Sequence, residues 1–190
     1  MAVTDLEASR HSVPMTALHT DASKLSFEAL YDTHVGEVWR AVRRLGVAAS
    51  AVDDVVQETF VTAWRSLARF EGRSSLKTWL VGIAFNHARH ALRAQGLRSG
   101  ETPVESVTLP SGASTPEELV QRQRRGELLL VMLSRLPEEQ RTTFVLVELE
   151  GLSAVEVAAL VQVPLNTIYS RLRLARTAIN DAVARLKEPA

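Results

Sequence analysis

The chain has 190 residues, 22 Lys and Arg balanced by 22 Asp and Glu, 46% apolar and 5% aromatic content, and no cysteine. That length holds one or two small domains, while the missing cysteine excludes disulfides, thiolate metal sites and thiol catalysis. No apolar run approaches membrane-spanning length, and Asp5, Glu7, Arg10 and His11 interrupt the N-terminus before a secretory core can form. A cytoplasmic location without membrane insertion is therefore expected. Apolar residues recur mostly at steps of three and four, which predicts an all-α fold.

Residues 1–24 are polar and weakly patterned, and are expected to form a disordered tail. A first helix is predicted from Ser26 to about Leu45, with Phe27, Leu30, Tyr31, His34, Val38, Ala41 and Leu45 on one side and Gly46 as its stop. Ser50 with Asp53 gives a capping-box pattern, and Val52, Val56, Phe60, Ala63 and Leu67 carry a second helical stripe towards Ala68. A connector, Arg69 to Ser74, precedes a third helix from about Ser75 to Gln95, whose inner side is Leu76, Trp79, Leu80, Ile83 and Ala84. Three helices of this length can close a small bundle, assigned to residues 25–96.

Gly96 to Ser114 holds three Gly and two Pro without helical periodicity. Residues 97–114 are therefore assigned as a flexible linker. Between Ser99 and Val120 lie Glu101, Glu105, Glu117 and Glu118 and no base; this run either aids solubility or lies along a basic surface. Thr115, Pro116 and Glu118 form a third capping pattern, opening a helix through Leu136 that Pro137 breaks. Another helix is predicted from about Glu138 to Glu150. Ser153 and Glu156 then cap a short helix with Val157, Leu160 and Val161 on one face, interrupted at Val163-Pro164. The last helix places Ile168, Leu172, Ala175, Ile179, Val183 and Leu186 on one stripe. These four helices make a second domain over residues 115–187, with no internal repeat.

The final pair of helices, with Asn166, Thr167, Ser170 and Arg173 facing away from the apolar stripe, fits either a helix-turn-helix or an ordinary helical hairpin with a solvated face. From Leu165 to Lys187 five basic residues (Arg171, Arg173, Arg176, Arg185 and Lys187) face one acid, Asp181, in a neutral chain. Such a local excess favours a polyanion partner, with affinity from counterion release. Arg73 to Arg98 likewise contains Arg73, Lys77, Arg89, Arg93 and Arg98 and no acid. Asn86, Arg89 and Arg93 share one helix face, as do Asn86, His90 and Arg93, a row able to hold phosphates and hydrogen-bond bases. Either patch alone fits a solvated surface; together they point to one nucleic-acid partner. Asp53, Asp54 and Glu58 early on the second helix suit the helix dipole, and with Gln57 they also offer a compact surface to a protein. His87 and His90 are a helical pair with no carboxylate within a turn, and there is no phosphate-cradling glycine loop or nucleophile elbow. No metal, cofactor or catalysis is expected, and the chain is not read as an enzyme.

The segments FEALYDTHVGEVWRAVRRLG, DDVVQETFVTAWRSLARFEGRSSLKTWLVGIAFNHARHALR and LPEEQRTTFVLVELEGLSAVEVAALVQVPLNTIYSRLRLAR, in that order, resemble the sigma factors of bacterial RNA polymerase, specifically the extracytoplasmic-function (ECF) group. The resemblance spans about Phe27 to Leu186; DDVVQETF followed by KTWL and LPEEQR is its most specific part. It implies a subunit that binds core RNA polymerase, recognises minus-ten and minus-thirty-five promoter DNA and promotes strand opening. Asp53, Asp54, Gln57 and Glu58 would meet the β′ clamp helices, with further contact to the β subunit. The connector, with Arg69, Phe70, Gly72, Arg73 and Ser74, would capture a flipped minus-ten base, and Lys77, Asn86, Arg89, His90 and Arg93 would line the adjoining strand path. Asn166, Thr167, Tyr169, Ser170, Arg171, Arg173 and Arg176 would meet minus-thirty-five bases and phosphates. Tyr169 and Leu174 stand where many such proteins carry Lys or Arg, so promoter preference does not carry over. The resemblance also implies control by a separate anti-sigma factor. The rivals are a free-standing helix-turn-helix regulator, which leaves the first domain unexplained, and a protein-interaction scaffold, which leaves the two basic helices unexplained.

Overall fold

The computed structural model describes residues 26–96 and 116–187. The expected tail (1–24), the linker (97–114) with Glu101 and Glu105 of the acidic run, and the cap at Thr115 lie outside the described residues. Seven α-helices follow one another: α1 (Phe27–Leu45), α2 (Ala49–Ser66), α3 (Leu76–Gly96), α4 (Pro116–Ser134), α5 (Glu138–Phe144), α6 (Ala154–Val161) and α7 (Leu165–Lys187). Among the described residues no strand occurs and no helix is long and apolar enough to cross a membrane.

The first domain is α1–α3. Leu30, Val38, Ala41, Val42 and Leu45 of α1 pack against Val52, Val55, Val56, Phe60 and Ala63 of α2 and Leu80, Val81, Ala84, Phe85 and Ala88 of α3, all buried. Gly46 ends α1 in the left-handed region (φ 101°), so its amide returns to Arg43 and Val42 and the chain doubles back into α2. Tyr31, expected inside, is 41% exposed; its ring lies edge-on to Phe60 at 4.8 Å, covering the rim of the core.

Two helix starts differ from the sequence expectation. Ser50 does not cap α2: the N-cap is Ala48, with no side-chain cap, and Ser50 is exposed within the first turn. The Ala48 amide instead donates to Gln95 Oε1 at 3.2 Å, so a donor at the start of α2 is met from a residue 47 positions away. Ser75 precedes α3 rather than beginning it. Its Oγ accepts from the Thr78 amide at 3.0 Å, satisfying one orphan donor of the first turn.

The second domain is α4–α7. The single helix expected from Glu138 to Glu150 is α5 followed by a π segment, Val145–Leu149. Glu150 N donates to Val145 O at 3.0 Å and Leu152 N to Leu146 O at 2.9 Å. This wider turn keeps Val145 and Leu146 fully buried and feeds Gly151 (φ 81°) into the next cap. There the expected capping box forms in both directions: Glu156 N to Ser153 Oγ at 3.2 Å, and Ser153 N to Glu156 Oε2 at 2.8 Å. Gln162, left-handed at φ 60°, closes α6 two residues before Pro164. Ile168, Leu172 and Ala175 anchor α7 in the core, while Leu186 at its far end is 59% exposed. The apolar stripe of α7 is thus used mainly in its first half.

The two domains touch, and their buried residues form one cluster. Glu150 accepts from Arg44 Nη1 at 2.8 Å and lies 3.7 Å from Lys77 Nζ. Arg141 Nε donates to Leu45 O at 3.0 Å, the carbonyl end of α1. Burial lowers the Arg141 pKa, with Glu138 pulling the other way. Beside these contacts is a cleft of about 440 Å³ lined by residues of both domains, among them Arg43, Gln95, Leu133 and Arg141.

Candidate nucleic-acid interface

Three surfaces carry the residues that the sequence singles out. On α2 the helical period separates inside from outside cleanly. Val52, Val55, Val56, Thr59 and Phe60 are buried; Asp53, Asp54, Gln57 and Glu58 are exposed. Neighbours set the pose of two of these acids. Trp39 Nε1 donates to Asp53 Oδ1 at 3.0 Å, and His87 Nδ1 lies 3.1 Å from Glu58 Oε2 while its Nε2 lies 2.9 Å from Thr62 Oγ1. His87, considered above only as half of a histidine pair, therefore braces the acidic face from α3. Among the described residues no cluster of three potential metal ligands occurs.

The same outer stripe continues through Val61, 39% exposed, and Trp64, 63% exposed. Sequence reasoning did not select them. A signal existed, since both fall off the predicted inner stripe, and a large apolar side chain placed outside the core marks an interaction surface more often than a small one does.

The second surface is the connector and α3. The connector opens with a 3₁₀ turn, Leu67–Arg69. Phe70 folds inward, its ring 5.0 Å from that of Trp79, which pins the loop to α3. Arg69, Gly72 and Arg73 are exposed, and Arg73 Nε pairs with Glu71 at 3.0 Å. Ser74 is half-buried, its Oγ 3.4 Å from the Ser75 carbonyl. Gly72 has φ 69°, and a Cβ built there meets nothing within 4 Å. The backbone thus makes its turn while the space above it stays open. Along α3, Asn86, His90 and Arg93 are exposed. Arg89 is half-buried, lying 5.8 Å from the Phe85 ring centre, so it is less open to solvent than those three. Lys77 is drawn towards Glu150.

The third surface is α7. Asn166, Tyr169, Ser170 and Arg173 are exposed on its outer side, Thr167 is half-buried, and Leu174 is 45% exposed. Two arginines are already engaged. The Arg171 side chain is only 19% exposed and meets Glu139 at 2.6 Å. Nε and Nη2 of Arg176 both donate to Glu148 Oε1, Nε at 3.0 Å. The structure therefore brings Asn166, Tyr169, Ser170 and Arg173 together on one open face and ties Arg171 and Arg176 to carboxylates of the preceding segment. Neither pairing is visible in sequence, because no local spacing marks it.

Comparison with known proteins matches this arrangement. Residues 30–98 fit the family model of sigma-70 region 2, and residues 126–179 that of sigma-70 region 4. The chain is 38% identical to the ECF RNA polymerase sigma-E factor of Escherichia coli (strain K12) over 145 residues, covering 72% of this chain and 76% of the relative. It is 33% identical to the RNA polymerase sigma-H factor of Pseudomonas aeruginosa over 168 residues, 84% and 87% of the two chains. In three dimensions it resembles CnrH, solved in complex with the cytosolic domain of CnrY, at a TM-score of 0.57 and 26% identity over 88% of this chain and 94% of that one. The sigma factor RpoE of Bartonella quintana, solved with the anti-sigma factor NepR, shares the fold at a TM-score of 0.65 and 22% identity, over 83% and 96% of the two chains. The two helical domains thus coincide with the two regions matched, and the chain belongs to the sigma-70 family of RNA polymerase sigma factors, in its extracytoplasmic-function group.

Proposed function

We propose that the outer face of α2 is the polymerase-docking surface of this sigma factor, and that the connector with α3 and the outer face of α7 are its two promoter-reading surfaces. The carrying observation is α2 itself. Asp53, Asp54, Gln57 and Glu58 point away from a buried, mainly apolar inner face, and Val61 and Trp64 extend them into a mixed acidic and apolar strip. A strip of that composition fits the centre of a protein interface, with Trp64 as the buried anchor and the acids as its rim. The β′ clamp helices of core polymerase are the partner this reading assigns to it.

On the DNA side, Phe70 and Trp79 hold the connector while Arg69, Gly72, Arg73 and Ser74 border the space that a flipped minus-ten base would enter. Lys77, Asn86, Arg89, His90 and Arg93 carry the strand onward by phosphate contacts. In the second domain α7 enters the major groove at the minus-thirty-five element, where Asn166, Ser170 and Arg173 offer hydrogen bonds to base edges. Tyr169 and Leu174 present apolar surface suited to a thymine methyl. The chain works by binding and strand opening without covalent chemistry, in the cytoplasm with its polymerase. Anti-sigma control is supported by the solved relative bound to an anti-sigma factor.

Transcription in vitro with core polymerase from the native host tests this reading. New defined start sites that depend on the protein, and that vanish when Asp54 and Glu58 are both changed to Ala, are expected. Tight binding of the protein alone to duplex DNA, with no new transcripts, would instead make it a free-standing regulator.

A further inference from the structure

We infer that Trp39 is a positioning residue for polymerase docking: from α1, its indole N–H holds the Asp53 carboxylate of α2 in the orientation in which a partner meets it. The inference rests on the docking role proposed above for the outer face of α2, and it names a residue on which that role depends.

The turn between the helices brings the two side chains together. Trp39 and Asp53 lie equally far from Gly46 on either side, so when α1 doubles back into α2 at that glycine they come level. Nε1 of Trp39 then donates to Asp53 Oδ1 at 3.0 Å, across 14 positions of sequence. An indole nitrogen can only donate and an ionised carboxylate can only accept, so the direction of the bond is fixed. A bond to an ionised acceptor is also stronger than one between neutral groups.

Two features set this bond apart from a passing surface contact. Trp39 is half-buried and packs against the core, so its N–H is presented from a fixed ring. Beside that ring lies Arg43, 8% exposed, its guanidinium 5.9 Å from the ring centre. A cation over the face of an indole draws on the ring's electrons, which makes the N–H a better donor. An apolar ring alone would fill this place; the indole also carries a polar group to the rim.

The polar positions of the docking face therefore differ. Asp53 is held, whereas among the described residues no side-chain bond fixes Asp54 or Gln57. A held carboxylate has already lost the side-chain freedom that a mobile one loses on binding, a difference of roughly two- to tenfold in affinity. Trp39 thus acts on the partner through Asp53.

Nuclear magnetic resonance of the full chain, labelled at its three tryptophans, reads the bond directly. The indole N–H signal missing in Trp39→Phe identifies residue 39, and Asp53→Ala is expected to shift that signal upfield. Affinity for core polymerase is then measured for single and double variants. Trp39→Phe keeps a ring and removes the N–H, and should weaken binding by roughly two- to tenfold. Combined with Asp53→Ala it should weaken binding no further, whereas combined with Asp54→Ala the two losses should multiply. Should Trp39→Phe fail to fold, β-(3-benzothienyl)alanine in place of Trp39 puts sulfur where the N–H was, with the bicyclic shape kept, and gives the same readings.

An indole signal unmoved by Asp53→Ala would overturn the inference. So would equal losses from Trp39→Phe in the two backgrounds, the mark of a tryptophan that only supports the fold. If the acids prove necessary for binding and Trp39→Phe costs nothing, the inference fails and the docking role stands. If Asp53→Ala, Asp54→Ala and Glu58→Ala together leave polymerase binding unchanged, the docking role itself fails and the inference falls with it.

Discussion

The two domains hold the side chains proposed for partner binding by different means. On α2, Asp53 takes a hydrogen bond from an indole and Glu58 stands beside a histidine, while the strip they belong to stays exposed. On α7, Arg171 and Arg176 are held by Glu139 and Glu148 of their own domain. Under the proposed docking role, a partner arriving at α2 would meet side chains already aimed at it, so its binding would be mostly addition. Under the proposed promoter role, DNA arriving at Arg176 would displace a carboxylate, so its binding there would be an exchange of one anion for another, with a smaller net gain. Protein docking should accordingly depend on a few anchoring residues, and DNA docking on many small contributions.

The largest effect tests whether the two domains are separate at all. Leu80 in the first and Ile168 in the second are each almost fully buried, and changing either to Ala should cost about 2–5 kcal/mol. Because the buried cluster is continuous, each change should lower a single shared denaturation midpoint. Two resolved transitions, with only one moved by each variant, would show the domains to be energetically independent.

Trp64→Ala comes next. It should weaken binding to core polymerase by about 2 kcal/mol, the size of an interface anchor, with thermal stability and DNA binding unchanged. A fall in stability instead would make Trp64 a structural residue. Ser153→Ala removes the capping box of α6 and should cost about 1 kcal/mol of stability, readable as a lower melting temperature with the first-domain docking intact.

The smallest effects separate the arginines, and they are read from the slope of log affinity for minus-thirty-five duplex against log salt. Removing exposed Arg173 by Ala should flatten that slope by about 0.9, one phosphate contact. Arg171→Ala, at a side chain largely covered by Glu139, should leave it unchanged. Glu148→Gln should steepen it, because Arg176 is released to a phosphate. If Arg171→Ala and Arg173→Ala flatten the slope equally, the Glu139 pair does not withhold Arg171 from DNA.

Helix positions and the sidedness of α2 are legible in the sequence because they follow from spacing alone. Val52, Val56, Phe60 and Ala63 recur at steps of three and four, and the acids fall between them. The capping box at Ser153 is legible for the same reason, since both partners lie within one turn. What the sequence does not carry is any pairing across distance. Gln95 accepts from the amide of Ala48 at the start of α2 from 47 positions away, and Arg44 meets Glu150 across 106. Arg171 and Arg173 look equivalent in sequence, two residues apart on one basic helix. The fold half-buries one beside Glu139 and leaves the other in solvent. Trp64 is an intermediate case: its place off the inner stripe is visible, but the use of that place depends on which surface faces a partner.

The π segment Val145–Leu149 bears on how such chains can change in length. A π turn carries one residue more than the α turn it replaces, so removing a single residue there restores α-helical register without breaking the helix. The wider turn absorbs that residue, so side chains beyond the deletion keep nearly the direction they had. Val145 and Leu146 then hold their places in the core and Glu150 its place beside Arg44. The same loss inside α5 turns everything beyond it by about 100° around the axis and carries Glu150 away from Arg44. Chains of this plan can therefore differ by one residue within the π segment and still bring their two halves together alike.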